Sequence, residues 1–536
     1  VGRARLRLIR VVAAALALGC AAAGGASSGS LVEAAKTGDG TAALALLDTG
    51  ADVNAPSDDG TTALHWAAYH DDVPLARRLI EAGADANAEN DYGATPLSQA
   101  AAIGDARMIE LLLDAGADVE SPNPNGETAL MRAARTNHVD GARLLIEHGA
   151  DVNHREGWRG QTALMWAAAE GQPEMIRLLL EHGAEPDVRS APNHWARQVS
   201  AESRRMYRPT GGLTPLLYAA REGCVACARA LVEGGADPDF TNPKNVTPLY
   251  MAIDNMHFDT AKYLIEAGAN VNMWDWWGRS ALYGAVDMVT VPAGGRPDRR
   301  TTDETSALEL VELLLEHGAN PNLQLKLSPP YRSIVDDRGC DSMLTTGMTP
   351  LLRAAKTFDA DAMRLLIAHG ARLDLPNQDG IMPIMAAAGL GSSVCDPRGY
   401  GPGIPHYQTP DVQQASIAAL KVLLDAGADV NVHAPQVSVP PSRFGGRRYG
   451  QTALHGAAQW GWNDVVSYLV ERGARIDIRD ARGRTPLDAA LGRLGGRGRG
   501  DNIGPHEATA KLLRELCAEQ AGCDPQALAG PSKETP

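Results

Sequence analysis

Apolar positions along the chain fall in short runs at helical spacing, cut at a regular interval by polar, glycine-containing segments. Residues 94–126 show one cycle. Thr95 can cap a helix through its hydroxyl, and Pro96 follows at the first helical position, where a missing N–H costs nothing. Leu97, Ala100 and Ala101 give a short helix one apolar face, and Gly104-Asp105 breaks it. Met108, Ile109, Leu111, Leu112 and Leu113 predict a second helix with a broad apolar face. Gly116 ends that helix, because glycine tolerates the left-handed conformation required there. Asp118 to Gly126 is polar and turn-rich. Each helix is only about two turns long, and isolated helices below ~12 residues are marginal in water. One such pair cannot hide its own apolar faces, so stability must come from neighbour packed on neighbour.

Two markers keep the cycle in step. A Gly-Ala dipeptide, mostly continuing Asp-Val-Asn or close to it, starts at Gly50, Gly83, Gly116, Gly149, Gly183, Gly235, Gly268, Gly318, Gly370, Gly427 and Gly473. Thr-(Ala/Pro)-Leu starts at Thr62, Thr95, Thr128, Thr162, Thr214, Thr247, Thr349, Thr452 and Thr485, with Ser280-Ala-Leu and Met382-Pro-Ile as variants. The base period is 33 residues, and longer gaps are that period plus an insertion. This spacing, the starts Thr62-Ala-Leu-His65 and Thr452-Ala-Leu-His455, and the Gly-Ala-Asp-Val-Asn ends resemble ankyrin repeats across residues 30–520. The resemblance implies an all-α solenoid of about twelve helix–loop–helix units joined by β-hairpin fingers. It also implies partner proteins docked in a groove made by the first helices and the fingers.

Insertions near 187–212, 323–347 and 434–450 fall at fingers. Others near 290–304, 390–412 and 493–505 fall between the two helices of a unit. Both are loop positions, where extra chain leaves a stacked core undisturbed. Residues 521–536 are polar and read as a disordered tail. Residues 1–29 run from basic (Arg3, Arg5, Arg7, Arg10) through apolar (Val11 to Leu18) to small, the order of a bacterial export signal. Leu16-Ala17-Leu18-Gly19-Cys20 resembles a lipobox, which would make Cys20 a lipidation site and the only tie to a membrane. The expected location is the periplasm or cell envelope, with the protein a monomer.

Charge changes the picture in one place. The chain carries a net charge of −15, which argues against broad nucleic-acid binding. Against that background, segments 189–212, 434–450 and 493–505 hold eleven arginines and two acids. They are Arg189, Arg197, Arg204, Arg205, Arg208, Arg443, Arg447, Arg448, Arg493, Arg497 and Arg499, with Glu202 and Asp501. Such loops could recognise an acidic ligand or be solvated faces tethered to an acidic body.

Catalytic chemistry is poorly supported. No His-Glu-x-x-His occurs, and Gly496-Arg-Gly498-Arg-Gly500 lacks the Lys-Ser/Thr of a phosphate loop. Asp52, Asp85, Asp118 and Asp151 recur at one phase, the mark of a turn and not of a catalytic pair; His148, His182, His317 and His369 recur at second-helix ends. No metal site or cofactor is expected. An enzyme built from the insertions, around His194, His406 and Cys340, is the weakest alternative. Past Cys20, six cysteines are disulfide candidates: Cys224 and Cys227 in a C-x-x-C, Cys517 and Cys523 flanking the last helix, and Cys340 and Cys395 in insertions.

Partner-facing residues follow from the implied groove. The position after the Thr-Pro-Leu-His tetrad holds Trp66, Gln99, Arg132, Trp166, Tyr218, Met251, Gly284, Arg353 and Gly456, with Tyr69 and Trp460 nearby. Aromatic and arginine side chains most often anchor interfaces. The finger Trp274-Asp-Trp276-Trp277 places three tryptophans where polar residues are the rule, and is read as a docking edge or as packing on the 323–347 insertion. The expected function is a non-catalytic scaffold that binds other proteins.

Overall fold

The computed structural model describes residues 30–193, 210–289, 302–327, 345–392, 410–436, 448–494, 504–524 and 528. The chain divides into two compact bodies, one of residues up to 124 with 140–150, the other of 125–139 and 151 onward. The 1–29 segment with Cys20, the residues His194, His406, Cys340 and Cys395, and most of the inserted arginines lie outside the described residues.

Twelve helix pairs run along the described chain. The pair Pro96–Ile103 and Ala106–Asp114 shows why they form. Thr95 Oγ1 accepts the Ser98 N–H at 3.2 Å and Ser98 Oγ accepts the Thr95 N–H at 3.0 Å, a closed capping box. Gly104 ends the first helix at φ 93°, and Asp105 caps the second by accepting the Arg107 N–H at 2.8 Å. Leu97, Ala100, Ala101, Met108, Ile109, Leu112 and Leu113 are buried as their spacing predicts, while Leu111 is half-buried.

Like packs on like. In the first body the first helices Leu31–Lys36, Ala63–Tyr69 and Pro96–Ile103 pack in series, and so do the second helices Gly40–Asp48, Val73–Glu81 and Ala106–Asp114. In the second body one row runs from Ala129–Thr136 to Pro486–Ala490 and the other from Pro173–Glu181 to Glu507–Glu519. Alanines such as Ala67, Ala68, Ala100 and Ala101, at most 1% exposed, let first helices approach closely.

Register between neighbours is set by the asparagine that closes Asp-Val-Asn. Asn87 Nδ2 donates to the Gly116 carbonyl at 2.9 Å, and its Oδ1 accepts the Asp118 N–H at 2.6 Å. Asn54, Asn153, Asn272, Asn322 and Asn431 repeat the same two bonds to the next Gly-Ala-Asp-type segment. Asp187 and Asp239 stand at this position in two repeats. A carboxylate accepts but cannot donate. They keep the backbone N–H of Asp237 and Asn270, and burial raises both carboxyl pKa values. The recurrent Asp85, Asp118 and Asp151 each accept the N–H two residues on, so they are turn residues.

The fingers depart from the expectation. Among the described residues strand pairing is limited to Pro192–Asn193 against Thr210–Gly211 and one bridge, Trp274 to Ser280, so the fingers are tight turns and not β-hairpins. The reason lies in their length and in who takes their outward groups. Asn90 Oδ1 accepts the Tyr92 and Ala94 N–H groups, and Asn90 N–H bonds Ala94 O, which closes the finger in five residues. The tip N–H then bonds the preceding finger: Asp91 N–H to Asp59 O at 2.9 Å, Gly157 to Asn125 at 2.7 Å, Trp276 to Lys244 at 2.9 Å, Gln378 to Thr346 at 2.8 Å and Ala481 to Tyr449 at 3.0 Å. The three finger insertions keep the closing pair. Ser190 bonds Leu213, Leu325 bonds Met348 and Ala434 bonds Gln451, each through the backbone, so each insertion is pinched at its base.

Histidines serve the frame. His148, His317 and His369 donate Nδ1–H to the carbonyl four residues back, satisfying second-helix ends. His455 is fully buried; Nδ1 accepts from Thr452 and Nε2–H donates to Arg484 O at 3.2 Å in the next repeat. Burial pushes its pKa down to about 4. At the far end, the Leu528 side chain is 1% exposed and its carbonyl accepts the Thr485 hydroxyl at 2.8 Å, so this residue of the expected disordered tail is anchored on the last repeat.

Two outcomes follow. Asn322→Ala should lower stability in urea unfolding by about 1 kcal/mol, whereas Asp239→Asn should raise it by a similar amount, because it restores the missing donor. The Asp239→Asn gain should be present at neutral pH and be lost in acid as the Asp239 carboxyl, its pKa raised by burial, takes up a proton and can itself donate. For His455, the folded state refuses a proton that the unfolded chain accepts below pH ~6.5. Stability should therefore fall as pH drops from ~6.5 to ~4, by about 3 kcal/mol at the lower end, and His455→Gln should flatten that slope in melting curves.

Candidate interaction surface

The position after the tetrad lies one residue beyond the capping box, on the first helix. In the first body it is partly open. Trp66 is half-buried, meets Tyr69 edge-on at 5.6 Å and stacks on His70 at 6.1 Å, with Tyr69 49% exposed. In the second body it is half-buried at Arg132, Trp166 and Met251 and closed at the other repeats described. Arg132 is half-buried and faces Glu127 at 3.8 Å; Trp166 is half-buried beneath the Arg135 guanidinium at 5.4 Å. Met251 is half-buried, its Sδ 3.4 Å from Asn255 Nδ2.

Tyr218, Arg353 and Trp460, expected to face a partner, are core residues instead. The Tyr218 hydroxyl accepts from Gln161 Nε2 at 2.8 Å, and Arg221 covers its ring at 4.9 Å. Arg353 is 0% exposed and donates from Nε to Asp287 Oδ1 at 2.6 Å, one repeat earlier. Trp460 is buried, donates Nε1–H to Gly389 O at 2.7 Å and stacks on Trp462 at 6.3 Å. Gly284 and Gly456 sit where a Cβ would strike Tyr250 at 2.9 Å and the Leu390 backbone at 2.7 Å. The signal for Arg353 was a lone aspartate in the otherwise apolar helix Ala281–Val289, since a buried carboxylate calls for a cation.

The tryptophan finger divides. Asp275, 1% exposed, accepts the Trp277 and Arg279 N–H groups through Oδ1 and pairs with Arg279 through Oδ2 at 2.7 Å; burial nonetheless raises its pKa. Trp277 is 3% exposed, between the Lys244 ammonium at 5.7 Å and the Arg279 guanidinium at 4.8 Å. It anchors the finger. Trp274 is 40% exposed with Lys326 Nζ 3.0 Å over its ring, and Trp276 is 60% exposed. Leu327, also exposed, follows Lys326, whose backbone N–H bonds Trp277 O at 2.8 Å. Two of the three tryptophans therefore form an outer edge, and the start of the 323–347 insertion borders it.

Sequence reasoning passed over Trp158, the most exposed large apolar side chain described, at 77%. Its finger is fixed from within: Glu156 accepts the Trp158, Arg159 and Gln161 N–H groups. Arg159 stacks on the indole at 4.4 Å. The available signal was a tryptophan flanked by glycines in Gly157-Trp158-Arg159-Gly160.

The described members of the arginine-rich loops are engaged internally. Arg189 donates to Thr241 O and covers Phe240, Arg448 is buried, and Arg493 faces Asp488 at 3.4 Å. Disulfides join Cys224 to Cys227 and Cys517 to Cys523. Among the described residues no group of three or more His, Cys, Asp or Glu is placed to hold a metal ion, and no helix is long and apolar enough to cross a membrane.

Comparison with known proteins agrees with this geometry. A family profile described as "Ankyrin repeats (3 copies)" matches residues 31–123, 97–190, 198–290 and 412–522. The chain is similar to human Ankyrin repeat and SOCS box protein 16, 35% identical over 278 residues, covering 52% of this chain and 47% of that protein. It is similar to zebrafish (Danio rerio) Palmitoyltransferase ZDHHC17, 31% identical over 292 residues, 54% of this chain and 36% of that one. Mouse (Mus musculus) Rabankyrin-5 is 36% identical over 106 residues, 18% of this chain and 9% of that one. The chain thus spans less than half the length of each of these relatives.

The split finger makes a direct test. Trp277→Ser should cost about 3 kcal/mol or more in urea unfolding, whereas Trp276→Ser should stay within about 0.5 kcal/mol of the parent.

Proposed function

The chain belongs to the ankyrin-repeat family, and we propose that it is a non-catalytic scaffold that binds partner proteins through its helix-pair repeats and their fingers. Ankyrin repeats are generally protein–protein interaction modules, and the family profile that matches the chain describes such repeats. The observation that carries the reading is the finger edge of the second body, where Trp158, Trp274 and Trp276 are exposed on turns pinned by buried carboxylates. A large aromatic held in place loses little entropy on docking, and tryptophan is among the side chains that most often dominate interfaces.

Action outside the cytoplasm, in the periplasm or cell envelope, belongs to the same proposal. Two short-range disulfides support it, because such bonds persist in oxidising compartments. Of the described arginines that would favour an acidic ligand, Arg189 and Arg493 are bonded within the protein and Arg448 is buried, which supports the protein-binding reading over that alternative.

Replacing Trp274 and Trp276 together with serine should abolish capture of specific partners from an envelope fraction and leave the melting curve in place. Capture at the parent level by a folded double variant overturns the finger edge as the docking surface.

A further inference from the structure

At the start of a second helix this molecule repeatedly places an anion. Asp39, Asp72, Asp105 and Asp359 are N-caps whose carboxylates accept the N–H of Ala42, Leu75, Arg107 and Ala362 at 2.9, 3.0, 2.8 and 3.1 Å. Cys224 holds the same place before the helix Val225–Glu233, and its Sγ accepts the Cys227 N–H at 3.1 Å. The sulfur thus sits where four other repeats hold a negative charge, at the positive end of a nine-residue helix.

The two sulfurs of the pair are unequal. Cys227 is 0% exposed, whereas Cys224 is half-buried. Cys224 follows Gly223, left-handed at φ 77°, and between the two cysteines lie the half-buried Val225 and the exposed Ala226. A Cβ at Gly223 would come within 2.3 Å of His257 Nδ1, so the His257 imidazole lies against the backbone beside the sulfur and the position suits glycine. Of the pair, only Cys224 has exposed surface for an incoming thiol to approach.

The other disulfide is the opposite case. Cys517 lies in the last turn of the helix Glu507–Glu519, near its carbonyl end, where a thiolate is disfavoured. Cys523 N–H bonds Gln520 O, and Gln520 in turn bonds Ala474 O and the Ile476 N–H. That bridge holds the last helix against the preceding repeat.

We propose that Cys224–Cys227 is a thiol-exchange site that passes its disulfide to a dithiol on a bound partner protein. A partner thiolate attacks Cys224 Sγ, the sulfur–sulfur bond breaks, and Cys227 leaves with the electron pair and takes up a proton. The partner's second thiolate attacks its own sulfur in the mixed disulfide and releases Cys224 as a thiolate. Two electrons pass to this chain, and the partner gains one disulfide. The helix N-terminus stabilises the released Cys224 thiolate, which stabilises the reduced form and makes the pair the more oxidising of the two bridges. This activity is stoichiometric and stands independently of the finger surface.

The test uses the full oxidised chain in buffers of graded reduced-to-oxidised dithiothreitol ratio, quenched with acid, alkylated with iodoacetamide and read by peptide mass spectrometry. Cys224–Cys227 should open at a ratio at least tenfold more oxidising than Cys517–Cys523 requires. After selective opening, limiting iodoacetamide should label Cys224 at least tenfold faster than Cys227. Mixed one-to-one with a synthetic peptide dithiol, the parent should form the peptide disulfide, and a folded Cys224→Ser, Cys227→Ser chain should form none. Simultaneous opening of the two bridges, equal labelling of the two cysteines, or peptide oxidation by the double variant overturns the proposal.

Discussion

A helix of two turns with one apolar side has no stable existence alone, so everything in this chain depends on the covering of one helix pair by the next. Burial by itself is non-directional and would tolerate sliding. The asparagine at the end of each Asp-Val-Asn removes that freedom. It reads one carbonyl and one N–H of the following repeat, and those two groups lie two residues apart on a fixed turn. The finger adds a single backbone bond at its tip, and the tetrad histidine, where present, adds a third link from the helix start. These polar links at different heights fix the spacing and angle of neighbours, while alanine and leucine supply the energy.

Local instructions were legible because they are local. Threonine caps, prolines at first turns and left-handed glycines act within four residues, and the helix pairs begin and end where those residues stand. The short-range cysteine pairs were legible for the same reason, at separations of 3 and 6 residues. Asn87 was not, because its partners lie 29 and 31 residues on; only its recurrence at the base period hinted at a role.

The candidate surface was read less well, and again distance explains it. Arg353 occupies a position that in an isolated repeat faces outward, but its carboxylate partner is 66 residues earlier in the chain. Trp276 and Trp277 are adjacent and similar, yet a tight turn sends one into solvent and the other between two cations. A turn has no periodicity from which to infer the direction of its side chains. Trp158 was passed over because a single aromatic between glycines carries no pattern.

The pinched bases at Ser190–Leu213, Leu325–Met348 and Ala434–Gln451 have a bearing on how such a chain can change. Because the closing bonds are made below the added residues, the flanking repeats do not sense how much chain lies above them. Doubling the length of a flexible segment at such a neck costs only about 0.6 kcal/mol of closure entropy. These necks are therefore ports where foreign peptide can be spliced in, by evolution or by an engineer, with the load-carrying stack left as it was.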